Sequence, residues 1–147
     1  MPTTEAAASS PRDELATLVR RKPNEPPLCV RTIVPPKPRA LVLVVHGYGE
    51  HHGRHALICD ALVRQQLAVA ACDLRGHGRS AGPRGHCQHF SEYLDDIDEV
   101  LLFARKVVWD VPLLAFGHSF GALVLTTYAL SHPQVFQGLA FTSPLFA

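Results

Sequence analysis

Gly117-His118-Ser119-Phe120-Gly121 spells G-x-S-x-G, directly after an apolar strand-like run (Leu113–Phe116) and directly before an apolar helix-like stretch. In that context the serine is a candidate nucleophile, because a sharp strand-to-helix turn lifts its hydroxyl above the end of a sheet. Gly117 and Gly121 leave room where a Cβ would collide with neighbouring elements. Backbone N–H groups and the positive end of the following helix favour negative charge on a reacting oxygen. The competing reading is that Ser119 only caps the helix.

A second loop, His46-Gly47-Tyr48-Gly49-Glu50-His51-His52-Gly53, follows another apolar run, Leu41–Val45. Gly47 and Gly49 allow close backbone approach, so the N–H of Tyr48 is expected to face Ser119 Oγ. With the N–H of Phe120 it would make a two-donor oxyanion hole. A plain tight turn is the alternative for those glycines. His51, His52, His55 and the His86-x-x-His89 pair raise the question of metal. No Asp, Glu or Cys completes a ligand set at helical or zinc-finger spacing, so a histidine-rich surface loop is expected, with no metal and no cofactor.

These loops need a frame. From Ala40 the chain repeats apolar strand, turn, helix: strands at Leu41–Val45, Leu67–Cys72, Leu113–Phe116 and from Leu139, helices at Arg54–Gln66, from Ser91, and from the elbow through Leu130. Continuous β-branched runs suit strands buried on both faces, and the alternation predicts a doubly wound, mostly parallel α/β sheet. Ligand sites in such sheets lie at the carboxyl ends of strands, where all the glycine-rich loops fall. The first helix is expected to bury Leu57, Ile58, Ala61 and Leu62. The second starts with Ser91 as N-cap and buries Leu94, Ile97, Leu101, Ala104 and Val108. Its acids, Glu92, Asp95, Asp96, Asp98 and Glu99, read as a solvated outer face.

Residues 1–38 hold eight of the twelve prolines. A mobile tail over 1–14 is expected, followed by strands at Leu15–Arg20 and Leu28–Val34 confined to an edge or hairpin. Residues 15–147 then form part of one domain. Of the 147 residues, 47% are apolar and 18% charged, and the net charge is +1, so the chain is globular and offers no basic stripe for nucleic acid. Cys29, Cys59, Cys72 and Cys87 show no C-x-x-C and read as reduced thiols. With neither a secretory signal nor an apolar run long enough to span a bilayer, a cytoplasmic protein is expected, with peripheral membrane association allowed.

His46–His51 with Gly53-Arg54, Asp73-Leu74-Arg75-Gly76-His77-Gly78-Arg79-Ser80 with Gly82-Pro83-Arg84-Gly85, and Gly117–Gly121 occur in one order over residues 40–147. Together they resemble the monoacylglycerol lipase and lysophospholipase group of α/β hydrolases, also called serine aminopeptidase-like. The elbow departs slightly, with Phe120-Gly121-Ala122 where an apolar residue and Gly-Gly are usual. The resemblance implies hydrolysis of a lipid-like carboxylic ester through an acyl-enzyme on Ser119, and a structural turn at Asp73–Ser80. It also implies a lid and two further strands carrying the acid and the histidine. After Ser119 the chain has no Asp or Glu and only His132, at the far end of the following helix. The reading is a hydrolase domain truncated after about the sixth strand, inactive or nearly so alone, with an exposed apolar edge at Leu139–Phe146 open to self-association. The alternative is a non-catalytic fragment that binds a partner or lipid through that edge.

Overall fold

The β-branched run Leu41–Val45 is the natural centre of a sheet, since both its faces are apolar. In the computed structural model, which describes residues 10–18 and 20–146, it lies within strand β3 (Ala40–Val45) of a six-stranded sheet. The other strands are β1 (Arg12–Leu18), β2 (Leu28–Val34), β4 (Leu67–Cys72), β5 (Leu113–His118) and β6 (Gly138–Thr142). Their order is β1-β2-β4-β3-β5-β6. β1 and β2 form an antiparallel hairpin, β2 runs antiparallel to β4, and the remaining pairs are parallel.

Alternate residues of the central strands face opposite layers. Leu41, Leu43 and Val45 pack with α2 (Ser91–Val107) and α3 (Phe120–Ser131), around Ile97, Val100, Val124 and Leu125. Val42, Val44, Val69 and Ala71 pack with Cys59 and Val63 of α1 (Ala56–Arg64), which follows a short 3₁₀ turn at His52–His55. Helices on both faces make the sheet doubly wound, as the strand–helix alternation predicts. Each fully buried aliphatic side chain, such as Ile97, contributes roughly 1.5–3 kcal/mol relative to exposure. The chain leaves β3 toward β4 on one side and returns to β5 on the other. The crevice at their carboxyl ends is therefore a topological switch point.

Four local expectations need correction. β1 starts at Arg12 rather than Leu15, inside the stretch assigned to a tail, because Arg12 pairs with Val34 and Asp13 forms a two-pronged ion pair with Arg31. It also ends at Leu18, and Arg20 lies outside the strand; residues 1–9 fall outside the described residues. α1 is rotated from its expected face: Leu57 is 85% exposed and Ala61 is also exposed, while His55, Cys59 and Val63, four apart, turn inward. Ser91 sits within α2 rather than capping it; the cap position is Phe90, without a side-chain hydrogen bond.

The fourth correction concerns Asp96, which is 1% exposed rather than on a solvated face. Arg75 grips its carboxylate with Nε and Nη2, each at 2.7 Å, and Arg20 Nη1 adds a third contact at 2.6 Å. Arg75 also pairs with Glu25 and Glu92. Burial disfavours the Arg75 charge, but Asp96 and Glu25 outweigh it and hold its pKa above the ordinary arginine value. This network ties α2 to the segment before β2 and to the turn after β4.

Candidate active site

The elbow forms between β5 and α3 because three small positions let the chain turn through almost no space. A Cβ on Gly117 would lie 2.8 Å from the Ala122 main chain, and one on Gly121 would lie 2.2 Å from Val45 O. Ala122, the departure from Gly-Gly, is fully buried and accommodated. Ser119 itself has φ +49° and ψ −113°, a conformation costing an L-residue on the order of 1–3 kcal/mol. Its side chain makes no capping hydrogen bond to α3. The capping alternative therefore fails, and the strain serves no local hydrogen bond of that side chain.

The main chain of Ser119 is held from outside the elbow. Its N–H donates to Thr142 O at 3.0 Å, and its carbonyl accepts from Leu145 N at 3.2 Å and Ala122 N at 3.0 Å. β6 and the residues after it thus clamp the turn.

The β3 loop comes up against it. A Cβ on Gly47 would stand 3.3 Å from Ser119 Cβ and 3.2 Å from the His118 ring, so glycine is what allows this approach. Gly49 needs glycine for its backbone, φ +75°, with open space around it. Glu50, which sequence reasoning passed over, anchors the loop: Oε2 accepts from Gly47 N at 3.0 Å and from His55 Nε2 at 3.3 Å, and Oε1 faces Arg54 and His118. Burial opposes its charge, yet the Gly47 and His55 donors outweigh this and keep its pKa below the usual glutamate value. Its position three residues after Gly47 was the available signal.

Tyr48 is 61% exposed; its hydroxyl donates to Gly85 O at 2.8 Å. Its ring meets Phe120 edge-on at 5.9 Å, and Phe120 in turn meets Tyr93 and Phe90. An aromatic wall therefore flanks Ser119. Among the described residues, the amides of Tyr48 and Phe120 have no hydrogen-bond acceptor. No described side chain is hydrogen-bonded to Ser119 Oγ. His118 instead meets Thr142 Oγ1 through Nδ1 at 2.9 Å. His132 stacks on Tyr128 at 4.2 Å at the far end of the 12-residue helix α3, about 18 Å along its axis.

Two buried groups hold the loops together. His46 accepts from Leu74 N through Nε2 at 2.9 Å, so its Nδ1 carries the proton and donates to Gly47 O at 2.7 Å. Burial lowers its pKa to about 4, against the favourable Gly47 contact and with His77 adding to the depression. Asp73 accepts from the His52 amide and ring and from Arg79 N. Burial would raise its pKa, but those donors outweigh it and bring it to about 2. Asp73 and His77 are buried as parts of the turn after β4.

The His46 geometry makes a pH prediction. Unfolded, this imidazole takes a proton near pH 6.5; folded, it resists down to about pH 4. Its contribution is complete above pH 6.5 and drains away as pH falls toward 4, amounting to roughly 3 kcal/mol. Urea unfolding between pH 4 and 7 should show this slope in the wild type. In His46→Gln it should be largely lost, with a remainder from His55, whose pKa burial also lowers. Parallel slopes would contradict it.

Comparison with known proteins bears on this geometry. The family model for serine aminopeptidase S33 matches residues 36–147. An abhydrolase-domain protein of Dictyostelium discoideum is 41% identical over 123 residues, covering 80% of this chain and 12% of that protein. The monoacylglycerol lipase of Mycolicibacterium smegmatis is 33% identical over 107 residues, 73% of this chain and 38% of the lipase. In structure, the monoacylglycerol lipase of Paleococcus ferrophilus superposes with a TM-score of 0.71 at 33% identity, over 82% of this chain and 44% of that one. The chain thus spans less than half the length of these relatives. A doubly wound sheet with a strained serine elbow packed on a glycine loop, matched by a family model over most of its length, places the chain in the serine aminopeptidase S33 family of α/β hydrolases.

Proposed function

We propose that the protein containing this chain hydrolyses carboxylic esters of lipid-like molecules, monoacylglycerols or lysophospholipids, with Ser119 as nucleophile. The single observation that carries the reading is Ser119's strained backbone at a switch point, with no capping role to explain it. Ser119 Oγ attacks the ester carbonyl, and the amides of Tyr48 and Phe120 receive the developing oxyanion. The alcohol leaves, and water releases the acid from the acyl-enzyme. Glu50 positions the Tyr48 amide through Gly47. The rings of Tyr48, Phe120 and Phe90, backed by the buried Tyr93, give an acyl chain an apolar surface to lie on. Two relatives bearing the name monoacylglycerol lipase support the substrate class.

Within the described residues no histidine serves Ser119, so the base and its acid come from elsewhere in the whole protein. The 147 residues by themselves should take up a fluorophosphonate only weakly. Expressed within a longer chain that supplies an acid and a histidine, they should hydrolyse short p-nitrophenyl esters and medium-chain monoacylglycerols. Strong labelling of the short chain would refute the need for an outside base. Cleavage of peptides but not esters would refute the substrate class.

The second reading, a non-catalytic fragment that binds through the sheet edge, is favoured by one observation: Leu139, Leu145 and Phe146 are exposed at and after β6. Sedimentation of the 147-residue chain tests whether the edge binds at all. Concentration-dependent association that Leu139→Lys abolishes supports edge binding. Among the described residues no helix is long and apolar enough to cross a membrane.

A further inference from the structure

Cys29, His52 and Asp73 are far apart in sequence and outside the proposed chemistry, yet the fold gathers them. A thiol sulfur, an imidazole nitrogen and a carboxylate oxygen all lie within 4.8 Å of one another. We propose that these three side chains form a site for a zinc-class divalent cation, with water as fourth ligand.

The residue types suit a borderline-soft ion: one sulfur, one imidazole nitrogen and one carboxylate oxygen, with three protein ligands leaving a position open. Cys29 and Asp73 are held in place by groups that would support a metal from behind. Cys29 sits on β2, its N–H donating to Ser80 Oγ at 2.8 Å and its carbonyl accepting from Asp73 N at 2.9 Å. Asp73 keeps the amides of His52 and Arg79 as donors, and the loop closes on it so tightly that a Cβ at Gly78 would fall 2.3 Å from Oδ2. Backbone donors to a ligating carboxylate are typical supports of metal sites.

His52 Nδ1 stands 2.8 Å from Asp73 Oδ1 and must carry the proton, since an ionised carboxylate only accepts. Tetrahedral zinc at about 2.0–2.1 Å from the imidazole nitrogen and the carboxylate oxygen, and about 2.3 Å from sulfur, separates that nitrogen and oxygen by roughly 3.3 Å, so binding requires these two to part by about half an ångström. The His52 side chain, at 13% exposure against 1% for Asp73, is the less enclosed of the two and the one with more room to shift. On binding, the thiol loses its proton to solvent and the imidazole proton passes from Nδ1 to Nε2, leaving Nδ1 to the metal. The cation supplies the charge that makes the thiol a thiolate. The bound ion would cross-link β2, the turn after β4 and the loop that carries Tyr48.

Cobalt(II) added to the 147-residue chain at pH 7.5 tests this. One equivalent should produce a thiolate-to-cobalt absorption in the near ultraviolet with visible bands of tetrahedral intensity, and zinc should displace it. Cys29→Ser should remove the near-ultraviolet band. His52→Ser should weaken affinity by at least about tenfold and abolish the zinc-induced rise in thermal midpoint. Cys87→Ser with His86→Ala and His89→Ala should change neither. Absence of stoichiometric binding, a band that survives Cys29→Ser, or an affinity that His52→Ser leaves unchanged overturns the site.

Discussion

Ser119→Ala, made in a longer chain in which ester hydrolysis is measurable, should lower kcat by about a million-fold with little change in KM. In the proposed mechanism the acyl-enzyme forms on this hydroxyl, and its loss leaves substrate binding and the amides of Tyr48 and Phe120. Those alone retain on the order of a thousand- to ten-thousand-fold over water. The backbone offers a second readout. Alanine at φ +49° bears the same strain as serine, so its stability should match the wild type. Glycine adopts that conformation freely, so Ser119→Gly should be more stable than Ser119→Ala by about 1 kcal/mol and equally inactive. Substantial turnover in Ser119→Ala would overturn the assignment. A Ser119→Gly protein no more stable than Ser119→Ala would remove the strain from the account.

Asp96→Ala should be the most damaging single change to stability, costing about 3–5 kcal/mol and lowering the thermal midpoint by on the order of 10 °C. It leaves the guanidinium groups of Arg20 and Arg75, both buried, facing one another without the carboxylate that separates their charges. Removing the exposed pair Lys22–Asp95, by Asp95→Asn, should leave the midpoint almost where it was. Chemical denaturation of both variants makes the comparison. Equal effects would mean that the buried network counts for no more than a surface pair.

The contrast between Asp95 and Asp96 also marks how far the chain could be read without coordinates. Strands β2 and β4 lie where local signals put them, because a mostly apolar run bounded by proline or turn residues has few other uses. The elbow was legible for the same reason: glycine two residues either side of a serine, between strand and helix, encodes a bend. The burial of Asp96 was illegible. Its partners lie 21 positions away at Arg75 and 76 positions away at Arg20, and nothing in the periodicity of α2 announces them. The same holds for Cys29, His52 and Asp73, brought together by an antiparallel pairing of β2 with β4 that no local spacing specifies. The α1 error was different in kind: Leu57 competed with His55 and Cys59 for the interior, and a 3₁₀ turn ahead of the helix rotated it away.

The clamp on Ser119 from Thr142 and Leu145 makes the outermost strand a mechanical lever on the reactive hydroxyl. Whatever chain comes to lie beside β6 would press on that lever. The aim of the hydroxyl would then be set by how the margin of the sheet is completed as well as by the motif surrounding it.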